Sequence, residues 1–157
     1  MKNLIVYIFL TLLSTALAQT NKINFAGTNI NIGMSISEVF SRINNNHYNI
    51  EEYPNSLLVF SKSKNDYVGG IDFNESHKII RITKNWGMFS DSKEAFKILF
   101  TLLKKTKQKN ITNIIQLSEF TEPQIQVKEI TIFLDDRRIY LNCVEENSSI
   151  QIIEVFE

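Results

Sequence analysis

Few residues in this chain are suited to metal binding or covalent chemistry. It contains one cysteine and two histidines, which excludes an intramolecular disulfide framework and a multi-cysteine metal site and leaves little for acid–base catalysis. Its 5 glycines and 2 prolines exclude collagen-like and low-complexity chains. The 17 basic residues equal the acidic ones in number, so the basic surplus typical of nucleic-acid-binding proteins is missing. We therefore expect no cofactor, no metal and no nucleic-acid partner.

The amino end has the pattern of a secretory signal peptide. Lys2 precedes the apolar run Leu4–Leu13, and Ala16-Leu17-Ala18 supplies the small residues of a cleavage site. The alternative, a membrane anchor, would need about 20 apolar residues, roughly twice the length of this run. We predict cleavage of residues 1–18 from a bacterial exported protein, periplasmic or secreted, with no membrane span afterwards. Residues 19–157 are long enough for one domain with a core.

Two helices are predicted from capping signals and apolar spacing. The first begins at Ser35, because Glu38 lies three residues later and completes a capping box after the turn at Gly33. The second begins near Ser90 or Asp91. Its predicted apolar stripe consists of Ala95, Phe96, Leu99, Leu102 and Leu103.

Eight segments rich in β-branched and aromatic residues predict strands. They are Tyr48–Tyr53, Ser56–Ser61, Tyr67–Phe73, Lys78–Lys84, Asn113–Glu119, Val127–Leu134, Arg138–Val144 and Ile150–Phe156.

Side-chain alternation assigns faces to two predicted hairpins. A loop over Asn74–His77 pairs Ile71 with Ile80. In the later hairpin, a two-residue loop at Asp136-Arg137 or at Asp135-Asp136 gives the same two faces. One is apolar, and the opposite one carries aromatic rings; the first contains Ile130, Ile132, Leu141 and Cys143, and the second contains Phe133 and Tyr140.

These elements predict an α+β fold. We expect two halves, about residues 24–87 and 88–157, each a helix plus an antiparallel meander, with the helices packed on one face of the sheet. The boundary between the halves is Asn85–Phe89. A tandem duplication and a chance recurrence of a common arrangement account for this order equally well.

One short segment carries a family resemblance. Ile30–Val39 resembles the opening of a module found in SmpA/OmlA outer-membrane-assembly lipoproteins and, in tandem, in β-lactamase inhibitory proteins. Gly33, Met34, Ser35, Glu38 and Val39 match the motif of that module. The resemblance implies a capped helix followed by a β-meander and a role in protein interaction, and it transfers no active site. The lipobox cysteine of the lipoproteins is missing, and no residue pattern identifies β-lactamase as a target.

Catalytic motifs are scarce. The chain has no phosphate-binding glycine loop, no G-x-S-x-G elbow and no H-E-x-x-H helix. His47 and His77 fall in predicted loops, Cys143 in a predicted strand as a core residue, and Gly69-Gly70 inside another strand.

The expected function is therefore that of an exported, non-enzymatic module that binds another protein through its sheet face, inhibitor-like or envelope-associated. Phe133 and Tyr140 are the candidate anchors, and Trp86 and Phe89 extend the patch; alternatively, these four rings complete a second small core. A small secreted hydrolase with an unrecognised site and a carrier of an apolar ligand remain as alternative functions.

Overall fold

The computed structural model describes residues 22–106, 114–122, 125–146 and 148–157. Along the chain we number ten strands and two helices, as follows: β1 Ile23–Phe25, β2 Thr28–Ile30, α1 Ile36–Arg42, β3 Tyr48–Tyr53, β4 Ser56–Ser61, β5 Tyr67–Phe73, β6 Ile79–Phe89, α2 Ser92–Thr106, β7 Ile114–Glu122, β8 Ile125–Leu134, β9 Arg137–Val144 and β10 Ser149–Phe156. The signal peptide predicted at residues 1–18 lies outside the described residues. Among the described residues, no helix is both long and apolar enough to cross a membrane.

Eight strands form one antiparallel sheet in the order β3-β4-β5-β6-β10-β9-β8-β7, and β1 and β2 form a separate hairpin. The division of an α+β fold into two helix-plus-meander halves is therefore a wrong prediction: the described chain is mainly β, with 57% of residues in strands and 17% in helices. The reason is the length of β6. It continues through the predicted boundary Asn85–Phe89 and pairs with β10 as far as Phe89, so one sheet spans both predicted halves.

The hydrophobic core lies on one face of this sheet. The β1–β2 hairpin and α1 bury Phe25, Ile30 and Val39 there against β4, β5 and β6. Helix α2 buries Ala95 and Leu102 against β8, β9 and β10. Gly69 permits close packing at the first cluster, because a Cβ at this position would collide with the Thr83 carbonyl oxygen of β6 and with the Phe25 ring.

Helix α1 begins as predicted. Ser35 is its N-cap, and the Ser35 hydroxyl accepts a hydrogen bond from the Glu38 backbone N–H at 3.4 Å. Asp91 serves α2 in the same way, since its carboxylate accepts from the Lys93 N–H at 2.8 Å. The predicted stripe of α2 is wrong at Phe96, which is 63% exposed, because the helix contacts the sheet over a narrower arc than the stripe covers.

The two hairpins differ in how well alternation predicted them. In β8–β9 the loop is Asp135-Asp136, with Leu134 opposite Arg137 and Ile132 opposite Ile139, so the predicted faces are confirmed. In β5–β6 a bulge shifts the register, and Ile71 lies opposite Ile82 rather than Ile80. Ile79 is consequently buried and Ile80 is 45% exposed.

Candidate functional site

The candidate site is the sheet face that points away from the helices. No helix or hairpin among the described residues packs on this face, which we call the open face. Strand alternation from the buried positions places these residues on it: Leu58, Phe60, Tyr67, Thr83, Phe133, Arg138, Tyr140, Asn142 and Ile153. Most of these side chains are half-buried.

Phe133 and Tyr140 lie together on the open face, as the alternation predicted. Arg138 of β9 pairs with Phe133 of β8, and its guanidinium carbon lies 5.6 Å from the centre of the Phe133 ring. The hydrogen bond from Arg138 to Tyr140, followed by the nearby charge of Glu157, raises the pKa of Arg138. One arginine thus joins the two predicted aromatic residues.

A chain of alternating charges crosses the sheet beside these rings. Arg138 Nη2 lies 2.8 Å from Glu157, Arg81 Nε lies 3.8 Å from Glu157, and Arg81 lies 3.2 Å from Asp72. All four side chains are between about one-third and one-half exposed. These ion pairs orient the guanidinium groups of Arg81 and Arg138, and both groups remain exposed to solvent.

A second aromatic pair lies on the same face at β4 and β5. The ring centres of Phe60 and Tyr67 are 5.6 Å apart with the planes tilted by 55°. Burial, and then the charge of Asp72, raises the pKa of Tyr67. The Tyr67 hydroxyl lies over Gly70, where a Cβ would approach it to 3.1 Å. A side chain at this position would require the Tyr67 ring to shift by a few tenths of an ångström.

Asn142 adds a polar group to the open face. It lies opposite Gln151 of β10 and Glu129 of β8. Its side-chain oxygen is buried and has no hydrogen-bond partner among the described residues. A buried acceptor without a partner is costly.

Trp86 and Phe89 lie on the other side of the sheet, against the cluster formed with α2. A bulge makes Trp86 an extra residue of β6, since Ile152 of β10 pairs with Gly87 and Ile153 with Asn85. The Trp86 Nε1 donates to Glu154 at 3.0 Å. The structure thus brings Phe133 and Tyr140 together and does not bring Trp86 and Phe89 to them.

Sequence reasoning missed Arg138, Phe60 and Tyr67 as members of this surface. Arg138 has the same strand parity as Tyr140, and Phe60 follows the buried Val59. The alternation rule applied to every strand would have found both residues. The pairing of Phe60 with Tyr67 depends on a bulge in β5, for which the sequence has no clear signal.

The described residues offer little for catalysis or metal binding. The described residues include no group of three or more His, Cys, Asp or Glu side chains placed to hold a metal ion. His47 and His77 are exposed. His47 lines a surface depression of about 440 Å³ with Ser61 and Ser63, but these two hydroxyls bond to each other at 3.0 Å.

Comparison of the chain with protein-family models, with curated proteins and with solved structures finds no match.

Proposed function

We propose that this protein is an exported, non-catalytic module that binds a partner protein through the open face, in the manner of an inhibitor or an envelope-associated adaptor. The observation that carries the proposal is the arrangement of Phe133, Arg138 and Tyr140 on a sheet face that no other described element covers. Tyrosine, tryptophan and arginine are the residues that most often dominate binding energy at protein interfaces.

These side chains are held in place before any partner arrives. Arg138 contacts Glu157 and stacks near Phe133, so its rotamers are restricted. Restricting a long side chain in advance lowers the entropy that binding would otherwise cost. The exposed arginines and carboxylates beside the rings favour a partner with complementary charges around an apolar centre.

The two alternative functions gain less support. A carrier of an apolar ligand needs a cavity between the helices and the sheet. Three surface depressions of about 440 to 570 Å³ in the described part of the chain are lined by residues of β3 to β6 and of the loops beside these strands, and neither helix contributes to their lining. A hydrolase needs a nucleophile bonded to a base, and Ser61 near His47 bonds to Ser63 instead.

The test is affinity capture from the envelope and culture medium of the source cell, with mass spectrometry. Phe133→Ser and Tyr140→Ser should each lose the partner that the native chain captures. Phe100→Ser is the matched control, because this aromatic ring is 70% exposed on α2, away from the open face. Equal capture by all variants, with unchanged circular dichroism, would refute binding through the open face.

Export has its own test. Amino-terminal sequencing of the protein recovered outside the cytoplasm should begin at Gln19, and Lys2→Glu should slow its appearance there. Recovery of membrane-bound protein that retains Met1 would contradict export with cleavage.

A further inference from the structure

The two edges of the sheet are protected to different degrees. Strand β3 forms one edge and carries the exposed acids Glu51 and Glu52, with Pro54 directly after it. Charges and proline at an edge discourage pairing with another strand. Strand β7 forms the opposite edge and, within the described part of the chain, pairs with β8 alone. Its first five residues carry no charge.

Apolar side chains are exposed along this uncharged stretch. Ile115 is 63% exposed and Leu117 is 75% exposed, while Ile130 on the neighbouring β8 is 36% exposed. Ile130 pairs with Leu117, so these three side chains share one face. An edge that combines open backbone groups with apolar side chains is a template for a further strand.

The stretch is complementary to itself in one antiparallel register. If two copies of β7 meet with Gln116 opposite Gln116, Ile115 of each copy lies opposite Leu117 of the other, and Ile114 lies opposite Ser118. The two Glu119 residues are then about 20 Å apart, at about 3.4 Å per residue. Centring the pair on Leu117 would instead place Ile115 opposite Glu119.

From this register we infer that β7 binds the β7 strand of a second copy of this chain, which extends the sheet across a two-fold axis at Gln116. The surface is an edge of the sheet, distinct from the open face of the proposed function, so two copies joined in this way leave both open faces accessible. An isologous contact of this kind is the usual arrangement of homodimers.

The dimer should be weak. Five residues of each copy take part, and an interface of that size falls below the roughly 1,200 Å² typical of stable complexes. We expect sedimentation velocity to show a dimer at high concentration that dissociates on dilution through the micromolar range. Leu117→Lys should make the protein monomeric at every concentration, while circular dichroism stays unchanged. A native chain that is monomeric up to millimolar concentration would overturn the inference.

Disulfide trapping tests the register. In a Cys143→Ser background, Gln116→Cys puts two thiols on the two-fold axis, where paired Cα atoms are about 4.5–5.5 Å apart, within disulfide range. Ser118→Cys is the matched control, because its two copies are about 14 Å apart at 3.4 Å per residue. We expect mild oxidation to cross-link Gln116→Cys at least tenfold faster than Ser118→Cys. Equal rates, or faster cross-linking of Ser118→Cys, would refute this register.

Discussion

Glu154 is the buried charge whose removal should cost the most stability. It is 2% exposed at the centre of the sheet, and its carboxylate lies 2.8 Å from Arg137 and 3.9 Å from Lys84. It also accepts from Trp86 Nε1 at 3.0 Å. On β10 it stands between Phe156 of one core cluster and Ile152 of the other.

Glu154→Ala leaves the largely buried Arg137 without its principal anion. The Arg137 side chain is 15% exposed, and removing one partner of a buried ion pair costs about 3–5 kcal/mol. Glu154→Gln keeps the shape but only one acceptor oxygen, so its NH2 group faces a donor, either Trp86 Nε1 or Arg137. It should therefore also be destabilising, by at least about 1.5–3 kcal/mol for the lost charge-assisted bond. Both variants should lower the free energy of unfolding.

Urea denaturation with linear extrapolation measures this loss. The control is Glu157→Ala, since Glu157 also contacts two arginines but is 43% exposed, and exposed pairs contribute about 0–1 kcal/mol. If Glu154→Ala and Glu157→Ala differ by less than about 1 kcal/mol at equal m-values, the buried ion pair does not stabilise the fold as argued.

Three further outcomes follow from single residues. Ser35→Ala should lower the free energy of unfolding by about 0.5–2 kcal/mol through loss of the α1 cap, measured by the same denaturation. Gly69→Ala should cost about 2–5 kcal/mol, or abolish folding, because the new Cβ meets the Thr83 carbonyl; a neutral result would contradict the close packing of β5 on β6. Burial and the charge of Asp72 raise the pKa of Tyr67, so folding favours the neutral phenol. The resulting stabilisation of the fold is present below the unfolded pKa of about 10. It is lost as the pH rises through the higher folded value. Tyr67→Phe should therefore lessen the fall in stability above about pH 10. If the melting temperatures of the variant and the native chain fall equally between about pH 9 and 11, this expectation is wrong.

Local features were predictable because neighbouring residues determine them. The Ser35 cap depends on a residue three positions away, and the faces of β8 and β9 depend only on alternation. Phe133 and Tyr140 were therefore placed on the correct face without knowledge of the turn.

Features that depend on distant residues were not predictable. The pairing of β6 with β10 joins segments far apart in the chain, and no local pattern marks it. An acidic residue within an apolar strand, as at Glu154, indicates that its carboxylate has a buried partner. The sequence does not identify Trp86 as that partner, because the two residues are 68 positions apart. The sequence analysis missed the short hairpin of β1 and β2. Its turn is Ala26-Gly27, where both residues have positive φ, and a glycine between two alternating segments is typical of a tight turn.

The position of β10 has a consequence for how the chain folds. It is the last described strand along the chain, yet it occupies the middle of the sheet between β6 and β9. The strands before it can pair locally, but the sheet becomes continuous only after β10 has paired with β6, more than sixty residues earlier in the chain. The entropic cost of closing such a loop grows slowly with its length, and contacts of large sequence separation slow folding. Until then the edges of β6 and β9 that β10 joins stay unpaired, so the last described strand along the chain is the one that unites the two parts of the sheet.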